Sequence, residues 1–370
     1  MLELLSEFEH ELERIIGHST LFPGQHITAD VIVNFAAGRL SSERRAAATV
    51  TRLSRLTSEL TGRDRLQCGA SDALELRFHI THYVGHAHLI ARQALSRPVQ
   101  GIHLIVTAGG DGTHGEALSA YTELSRAGGS IKGTTRPGTR ERLYFVRLPF
   151  GTGNDGADAP TLETSVQLLL GRARPARTGQ IEVKPAGKPV HRGYNIASIG
   201  LDAYVAYLTN RLKRRFAGDL YKPIADVMTL LYERLIGASE MTVSVEDHDG
   251  HREQLRRTFL LLAFGVSGYR QYGGGKRVLP GEENLCAIEP IGLIGKVRLK
   301  RLFYEGGHVH EPQVTMRTAR RVTIEYDRRV PMQIDGETIW LDDECFPLVM
   351  EVAEATVPVL RYDEHGGTPE

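Results

Sequence analysis

The sequence predicts an α/β plus β fold, in which an N-terminal Rossmann-like, doubly wound α/β domain precedes a C-terminal, mainly β sandwich domain. Three observations lead to this fold class. Short apolar strands alternate with helical segments up to about residue 175. Several of those strands run directly into glycine-bearing turns, as strands of ligand-binding parallel sheets do. Later segments are mostly extended and rich in Val, Ile, Thr and Tyr.

The chain of 370 residues is too long for one average domain. We expect four parts: an N-terminal amphipathic helix or extension (1–26), the α/β domain (27–175), the β-rich domain (176–345), and a last strand and tail (346–370) that returns to the first domain. The stretch GRARPARTGQ (171–180) is the expected linker between the two domains, because the composition changes there.

Residues 1–17 alternate apolar and charged side chains at helical spacing, with Leu5, Phe8, Leu12 and Ile15 on one side. This apolar stripe has two interpretations. It packs against the body of the protein, or it faces a membrane or a partner.

The α/β domain is predicted from apolar runs that end at turn residues and from the helical patterns between them. In chain order these are a strand at 30–38, helices at 41–60 and 85–95, a strand at 102–108, a helix to about residue 125 and a strand at 143–151. The β-rich domain is predicted from segments such as MTVSVEDHDG (241–250) and KVRLKRLFY (296–304), interrupted by one helical stretch near 219–236.

Composition excludes several classes of protein. Lys plus Arg and Asp plus Glu both number 45, so no overall positive charge favours nucleic acid, and we expect no nucleic-acid partner. Three widely spaced cysteines, Cys68, Cys286 and Cys345, form neither a disulfide framework nor a zinc motif. The acidic start lacks the features of a signal peptide, and the longest apolar run is too short to span a bilayer. We therefore expect a cytoplasmic protein that can contact the inner membrane surface peripherally; a homodimer is compatible with the sequence.

The stretch IHLIVTAGGDGTHGEAL (102–118) ends a buried strand with glycines and one carboxylate. Gly109, Gly110 and Gly112 let the backbone approach a ligand closely, and the following helix N-terminus suits an anion. Asp111 would repel a phosphate unless a divalent cation lies between them. A turn that is rich in glycine for packing alone is the alternative.

A second turn of the same kind occurs in LPFGTGNDGADA (148–159). If the two strands are neighbours, Asp111 and Asp155 lie in one crevice. Paired carboxylates together with backbone donors are typical of Mg²⁺-assisted phosphoryl transfer.

Several motifs, in one order along about residues 30–360, together resemble the diacylglycerol kinase catalytic family, which includes sphingosine, ceramide and bacterial lipid kinases. GGDGT also occurs in NAD kinases and phosphofructokinases, whereas GTGND and IDGE are specific to lipid kinases. The motifs are NFAAG (34–38), T-x-x-x-G-H-A (81–87), GGDGT (109–113), GTGND (151–155), YNIASIGLDAYVA (194–206), GDLYKPIADVMTLL (218–231), YGGGKRVLP (272–280) and QIDGE (333–337).

The resemblance implies an NAD kinase/diacylglycerol kinase-like fold with ATP and Mg²⁺ as cofactors. It implies metal contacts from Asp111, Asp155 and Glu182, and it makes Asp335 the general base, with Glu337 nearby and Asp111 as a further catalytic residue. The implied nucleotide-binding residues are Asn34, Phe35, Ala36, Ala37, Gly38, Thr81, His86, Gly109, Gly110, Asp111, Gly112, Thr113, His114, Gly115, Glu116, Gly151, Thr152, Gly153 and Asn154. From local sequence alone, Asp335 is equally well explained as a hairpin-turn aspartate before glycine.

The implied reaction is transfer of the γ-phosphoryl group of Mg-ATP to a lipid hydroxyl at a membrane surface, with diacylglycerol as the first acceptor and phosphatidic acid as the product. Three alternatives remain: a sphingoid- or ceramide-type lipid kinase, an NAD kinase-like kinase of a soluble acceptor, and a catalytically inactive nucleotide- or lipid-binding protein.

The sequence departs from the family pattern at three places. Phe35 replaces the usual proline, and Gly115 replaces the usual asparagine after GGDGT. The segment LPGEENLCAIEP (279–290) lacks the Asp-Gly element of bacterial members, so we expect no second, structural Mg²⁺ site.

Two further clusters have competing interpretations. His82, His86 and His88 are either zinc ligands or ordinary and phosphate-side histidines. The basic run 211–215 is either a solvated surface or a docking point for anionic lipid headgroups.

Overall fold

The computed structural model describes residues 2–62, 74–127, 142–151, 155, 159, 161–213, 232, 236–237, 239–273 and 275–363. The chain forms two compact units, the first made of residues 1–178 and 355–370 and the second of residues 179–354. Among the described residues, no helix is long and apolar enough to cross a membrane. The predicted fold class is confirmed: an α/β unit is combined with a mainly β, sandwich-like unit.

The first unit contains a parallel sheet with helices on it. Its elements are α1 (Leu2–Gly17), β1 (Ile27–Val33), α2 (Glu43–Thr61), β2 (Leu74–Ile80), α3 (His86–Ser96), β3 (Ile102–Gly109), α4 (Asp111–Arg126), β4 (Leu143–Pro149) and α5 (Leu162–Leu170). The strand order is β2-β1-β3-β4, and all four strands are parallel. Every residue of β1, β3 and β4 is buried, which explains why these strands are nearly continuous apolar runs.

The stripe on α1 packs inside the first unit. Phe8, Leu12, Ile15 and Ile16 are all buried, and the Phe8 ring contacts Phe150 edge-on at 5.8 Å between centroids. The first of the two interpretations of this stripe is therefore correct, and the apolar face of α1 is covered by the protein itself.

The second unit is built mainly from antiparallel strands. Its elements are β5 (Ala173–Lys184), β6 (His191–Gly193), β7 (Ile196–Gly200), α6 (Leu201–Lys213), β8 (Glu240–Glu246), β9 (Arg252–Thr258), β10 (Leu261–Gly265), β11 (Arg270–Tyr272), β12 (Lys276–Leu279), β13 (Leu285–Ile288), α7 (Leu293–Glu305), β14 (Val314–Arg317), β15 (Arg321–Glu325), β16 (Val330–Ile334), β17 (Glu337–Leu341) and β18 (Leu348–Tyr362). One sheet has the order β14-β13-β10-β7-β16-β17, and β18, β15, β8 and β9 are neighbours in another.

Side chains from both sheets form one core in this unit. Val243 of β8 and Val322 of β15 belong to the same buried cluster as Phe264 of β10 and Met332 of β16. Alternate residues of β8 are buried, because only one face of its sheet meets this core. The first and last strands, β5 and β18, each run through the boundary between the units, and Val359 of β18 is paired in parallel with Phe145 of β4.

Three sequence-based expectations are corrected. The boundary between the two units does fall within the segment 171–180, between Thr178 and Gly179, but the segment is a strand rather than a linker: β5 begins at Ala173 and continues to Lys184. The segment 296–304 is helical rather than extended: the alternation of Val297 and Leu299 suggested a strand, but the buried pair Leu299 and Phe303 has helical spacing. The strand expected at 30–38 ends at Val33, and residues beyond it form a turn. The helix expected near 219–236 lies largely outside the described residues, and so does Cys68.

A buried carboxylate lies in the middle of the parallel sheet. Asp30 of β1 accepts hydrogen bonds from Nε2 of His79 in β2 at 2.7 Å and from Nε2 of His103 in β3 at 2.8 Å. Burial alone would raise the pKa of Asp30, but the hydrogen bonds and charges of His103 and His79 outweigh it and hold the pKa well below its usual range. The carboxylate therefore joins three neighbouring strands.

We expect Asp30→Asn to lower the free energy of unfolding by about 2–4 kcal/mol at pH 7, because the buried His103 and the partly buried His79 lose their charged acceptor. Since the pKa of Asp30 is depressed in the folded chain, its contribution is present at neutral pH and is lost as the pH falls below about 5. At pH 3, urea unfolding should show that the difference in the free energy of unfolding between wild type and variant is about 1 kcal/mol smaller than at pH 7.

The control for this experiment is Asp249→Asn, which changes the net charge equally at an exposed hairpin position. A gap between wild type and Asp30→Asn that stays constant from pH 7 to pH 3 would contradict the assignment.

Candidate functional site

The turn after β3 is held against the turn after β4. The N–H groups of Phe150 and Gly151 both donate to the carbonyl oxygen of Gly109 at 2.9 Å. A Cβ atom at Gly109 would lie 2.8 Å from Oγ1 of Thr113, and one at Gly110 would lie 3.5 Å from Cα of Gly151. Glycine is therefore required at position 109 by the Thr113 side chain in the first turn of α4, whereas a Cβ at position 110 would be in ordinary contact with the neighbouring turn.

A third turn, residues 34–38, joins these two. Nδ2 of Asn34 donates to Oγ1 of Thr113 at 2.9 Å, and Oδ1 of Asn34 accepts from the N–H of Ala36 at 2.9 Å. The N–H of Arg39 donates to the carbonyl oxygen of Phe150. Turns at the ends of β1, β3 and β4 therefore form one layer, and this layer contains the described members of the predicted segments 34–38, 109–113 and 151.

The N-terminus of α4 lies in this layer. Its N-cap residue is Gly110, which has no side chain that could accept hydrogen bonds from the N–H groups of the first turn. An uncapped helix start among glycines is a suitable place for a phosphate group.

Two of the predicted residues have other roles in the structure. Glu116 accepts from the N–H of Gly85 at 2.8 Å and from that of Ala87 at 3.1 Å, so its carboxylate holds the start of α3. His114 is buried, and its Nδ1 lies 2.8 Å from Oγ1 of Thr107 in β3. Burial, followed by the charge of Arg147, lowers the pKa of His114 to about 3, which keeps its ring neutral.

The histidines near α3 do not form a zinc site among the described residues. His86 Nδ1 accepts from the N–H of His82 at 3.2 Å, and the His86 ring stacks on Tyr83. His88 instead contacts Glu123 at 3.0 Å. Thr81, the other predicted residue of this region, bonds through its N–H to the carbonyl oxygen of Val33.

Asp111 is paired with an arginine that the sequence analysis did not select. Nη1 of Arg147, from β4, donates to Oδ1 of Asp111, and the N–H of Asp155 donates to Oδ2 at 3.2 Å. Arg147 is buried, and its Nη2 has no hydrogen-bond partner among the described residues. The only signal in the sequence was one charged residue inside the apolar strand LYFVRLPFG.

These residues fit a nucleotide polyphosphate and a bound divalent cation. The glycine turns leave room for phosphate oxygens, and the buried guanidinium of Arg147 adds a donor with one unpartnered nitrogen. Asp111 and Asp155 supply the carboxylate oxygens that Mg²⁺ prefers. Thr152, Gly153 and Asn154, predicted to bind the nucleotide, lie outside the described residues, as do residues 214 and 215 of the basic run 211–215.

In the second unit, Asp335 occupies a tight hairpin turn between β16 and β17. Its φ of 49° and the φ of 91° at Gly336 are the two positive values that a two-residue type I′ turn requires. Its carboxylate accepts hydrogen bonds from the N–H groups of Tyr194, Asn195 and Ile196. The turn interpretation is therefore correct for the backbone, while the side chain also fixes the hairpin to the start of β7. Glu337 lies next to the turn and is exposed.

Glu182 is engaged in a charge network of its own. Its Oε2 lies 2.8 Å from Nζ of Lys184, which also lies 3.3 Å from Oε2 of Glu351. The hydrogen bond that Lys184 donates to Glu182 is the main reason why the pKa of Lys184 is raised. Glu182 belongs to the second unit, whereas Asp111 and Asp155 belong to the first.

A polar chain next to the Asp335 turn was also missed from sequence. The N–H of Gly336 donates to Oε1 of Gln333 at 2.8 Å, Nε2 of Gln333 donates to Oγ of Ser198 at 2.7 Å, and Ser198 donates to Asp202. Burial raises the pKa of Asp202 to about 6, against the opposing effect of the Ser198 hydrogen bond. Ser198 and Asp202 are part of the SIGLD stretch, but their pairing with Gln333 depends on the tertiary fold.

Comparison with known proteins covers most of the chain. The family model "Diacylglycerol kinase catalytic domain" matches residues 29–184, and "YegS C-terminal NAD kinase beta sandwich-like domain" matches residues 195–360. The chain is 23% identical over 266 residues to a diacylglycerol kinase of Staphylococcus carnosus (strain TM300), covering 71% of this chain and 78% of that protein. It is 23% identical over 271 residues to a diacylglycerol kinase of Bacillus subtilis (strain 168), covering 71% and 79%.

Two solved structures from Bacillus anthracis str. Sterne share the fold. One has a TM-score of 0.55 at 15% identity and covers 90% of this chain and 97% of its own. The other has a TM-score of 0.51 at 16% identity and covers 90% and 96%.

We expect the ion pair between Arg147 and Asp111 to appear in a double-mutant cycle of Arg147→Leu and Asp111→Asn, measured by urea unfolding. Arg147→Leu alone should destabilise the chain, because it leaves the partly buried carboxylate of Asp111 without its guanidinium partner. The coupling free energy should be about 1–2 kcal/mol, below that of a fully buried pair because the Asp111 side chain is 23% exposed. Additive effects of the two substitutions would contradict the pairing.

Proposed function

Because the chain belongs to the diacylglycerol kinase-like family of lipid kinases, we propose that it transfers the γ-phosphoryl group of Mg-ATP to a lipid hydroxyl, with diacylglycerol as the acceptor and phosphatidic acid as the product. One observation carries this proposal. Three glycine-bearing turns at the ends of β1, β3 and β4 are hydrogen-bonded to one another around the uncapped start of α4. This arrangement suits the phosphates of a nucleotide. The names of the curated relatives favour diacylglycerol over other acceptors.

In the proposed nucleotide site, backbone N–H groups are the main donors to the phosphates. The N–H groups at the start of α4 would face the phosphates, which the glycines allow to approach without a Cβ in the way. Arg147 would compensate the charge of Asp111, so that the turn does not present an isolated carboxylate to the nucleotide. Mg²⁺, bound with the nucleotide and held by Asp111 and Asp155, would neutralise phosphate charge during transfer.

The proposed acceptor chemistry uses Asp335. A bond forms between the lipid hydroxyl oxygen and the γ-phosphorus, the bond from that phosphorus to the bridging oxygen of ADP breaks, and the hydroxyl proton passes to the carboxylate. Three backbone N–H groups fix the position of this carboxylate, so an incoming hydroxyl would meet an acceptor that is already oriented. Glu337, adjacent and exposed, is proposed to assist it.

We expect Asp335→Asn to lower the rate of lipid phosphorylation by about 10²–10⁴-fold, because the amide cannot take up the hydroxyl proton. The substitution also places an NH₂ group against the N–H of Tyr194, so some loss of stability is expected. Phosphate transfer from labelled ATP in mixed micelles, together with the free energy of unfolding, separates these two effects.

The matched control is Asp247→Asn. Asp247 also accepts backbone N–H groups within a hairpin of the second unit, from Asp249 and His251. Asp247→Asn should weaken backbone hydrogen bonds comparable to those of Asp335, while turnover should stay within about twofold of wild type because Asp247 has no role in the proton transfer. If Asp335→Asn turns over as fast as Asp247→Asn, Asp335 is only a turn residue.

We expect the acceptor to be a lipid and the reaction to require a divalent cation. A panel of diacylglycerol, ceramide, a sphingoid base and NAD, each with and without EDTA, tests both expectations. Diacylglycerol should be phosphorylated fastest, and the chelator should abolish transfer. Phosphorylation of NAD with no lipid product would replace this proposal by a kinase of a soluble acceptor.

A further inference from the structure

One face of α7 in the second unit exposes an unusual amount of apolar surface. Of the nine large apolar side chains that are exposed in the described part of the chain, four lie on this helix. They are Leu293 (59% exposed), Ile294 (87%), Val297 (61%) and Tyr304 (47%). Isolated exposed apolar residues need no explanation, but a group on one helix face indicates a binding surface.

The opposite face of α7 accounts for its place in the fold. Leu299 and Phe303 are buried in a cluster with Val278 and Leu279 of β12, and the Phe303 ring contacts His308 at 4.4 Å between centroids. The helix ends at Glu305, and Gly306 caps it with a φ of 76° and an N–H that donates to the carbonyl oxygen of Leu302. The fold therefore already holds α7 from inside, and the outer apolar side chains are not needed for that packing.

Basic residues border the outer face. Arg298, Lys300 and Arg301 are exposed, against one carboxylate, Glu305, on the same helix. At about 100° per residue, Arg301 falls between Val297 and Ile294 on the outer face, while Lys300 and Arg298 lie at its two borders. Both arginines form ion pairs at the surface, Arg298 with Glu311 and Arg301 with Glu305. Exposed ion pairs of this kind are weak, so the arginines can readily bind other anions instead.

We propose that the outer face of α7 docks on an anionic lipid bilayer, with Leu293, Ile294 and Val297 at the boundary between headgroups and acyl chains and with Lys300 and Arg301 on lipid phosphates. The inference rests on the proposed function, since a lipid acceptor must be reached at a membrane surface. Apolar side chains within a basic border are the pattern of helices that lie in the bilayer interface, where tyrosine is also enriched. The N-terminal helix is not available for this role, because its apolar stripe is buried.

Val297→Ser and Val190→Ser form a matched pair for the test. Val190, 43% exposed, lies in the second unit outside α7, so both variants make the same change at an exposed valine. In co-sedimentation with phosphatidylcholine vesicles containing phosphatidylglycerol, Val297→Ser should lower partitioning about 3- to 10-fold, while Val190→Ser should leave it unchanged. The triple variant Leu293→Ser, Ile294→Ser, Val297→Ser should lose more than about 30-fold.

The charge contribution is tested separately. Lys300→Gln and Arg301→Gln together should reduce binding to vesicles with phosphatidylglycerol by roughly 10- to 30-fold, and should change binding to pure phosphatidylcholine little. Raising the salt concentration should reproduce this loss for the wild-type chain.

Kinase assays separate this inference from the proposed function. With a short-chain diacylglycerol below its micellar concentration, the triple α7 variant should turn over as fast as wild type, and with diacylglycerol in vesicles it should be slower by at least about 10-fold. If no acceptor is phosphorylated, the proposed function fails while vesicle binding by α7 is still measured. If vesicle binding is equal in Val297→Ser and Val190→Ser, the docking surface is wrong even when the kinase is active.

A second copy of this chain is the other occupant that would cover an apolar helix face. Light scattering on wild type and the triple variant detects it. A dimer that dissociates in the triple variant, with vesicle binding unchanged, would overturn the membrane assignment.

Discussion

The hydrogen bonds from Phe150 and Gly151 to the carbonyl oxygen of Gly109 are the constraint on which the candidate nucleotide site depends. They fix the ends of β3 and β4 side by side. Because these two turns are neighbours, Asp111 after β3 meets Asp155 and the β4 residue Arg147. The turn after β1 joins the layer separately: β1 pairs directly with β3, and Nδ2 of Asn34 donates to Oγ1 of Thr113. Glycine at position 109 is a steric requirement of its own, since a Cβ would overlap the Thr113 side chain in the first turn of α4.

In the second unit, a side chain rather than a backbone carbonyl holds two turns of the chain together. The carboxylate of Asp335 accepts hydrogen bonds from the three backbone N–H groups of residues 194–196 and so fixes the β16–β17 hairpin to the start of β7. The polar chain through Gln333, Ser198 and Asp202 runs from the same turn into the unit. A carboxylate held in this way has few orientations available, which suits a group that must meet a substrate hydroxyl in one geometry.

The sequence was most informative where local chemistry decides the structure. The apolar run that ends at the glycines was predicted as a buried strand and is one, β3, and the glycines after it indicated the close turn that is observed. The sequence was least informative about contacts between residues that are distant along the chain. Examples are the hydrogen bonds that Glu116 accepts at the start of α3, the ion pair of Arg147 with Asp111, and the histidine contacts of Asp30. Each of these contacts depends on which strands or helices become neighbours in the fold. Helix α7 was missed because Val297 and Leu299 fit a strand period while Leu299 and Phe303 fit a helix, and periodicity cannot choose between them over nine residues.

The first unit is discontinuous in sequence, since residues 355–370 complete it and Val359 pairs with Phe145. During synthesis the strands up to β4 leave the ribosome long before β18 exists, so this side of β4 must wait without its final neighbour while the whole second unit emerges. An uncovered strand edge is a site for wrong pairing between chains. The sheet of the first unit is therefore complete only when the last strand has been synthesised and has paired with β4. A truncation at the C-terminus would accordingly damage the N-terminal unit.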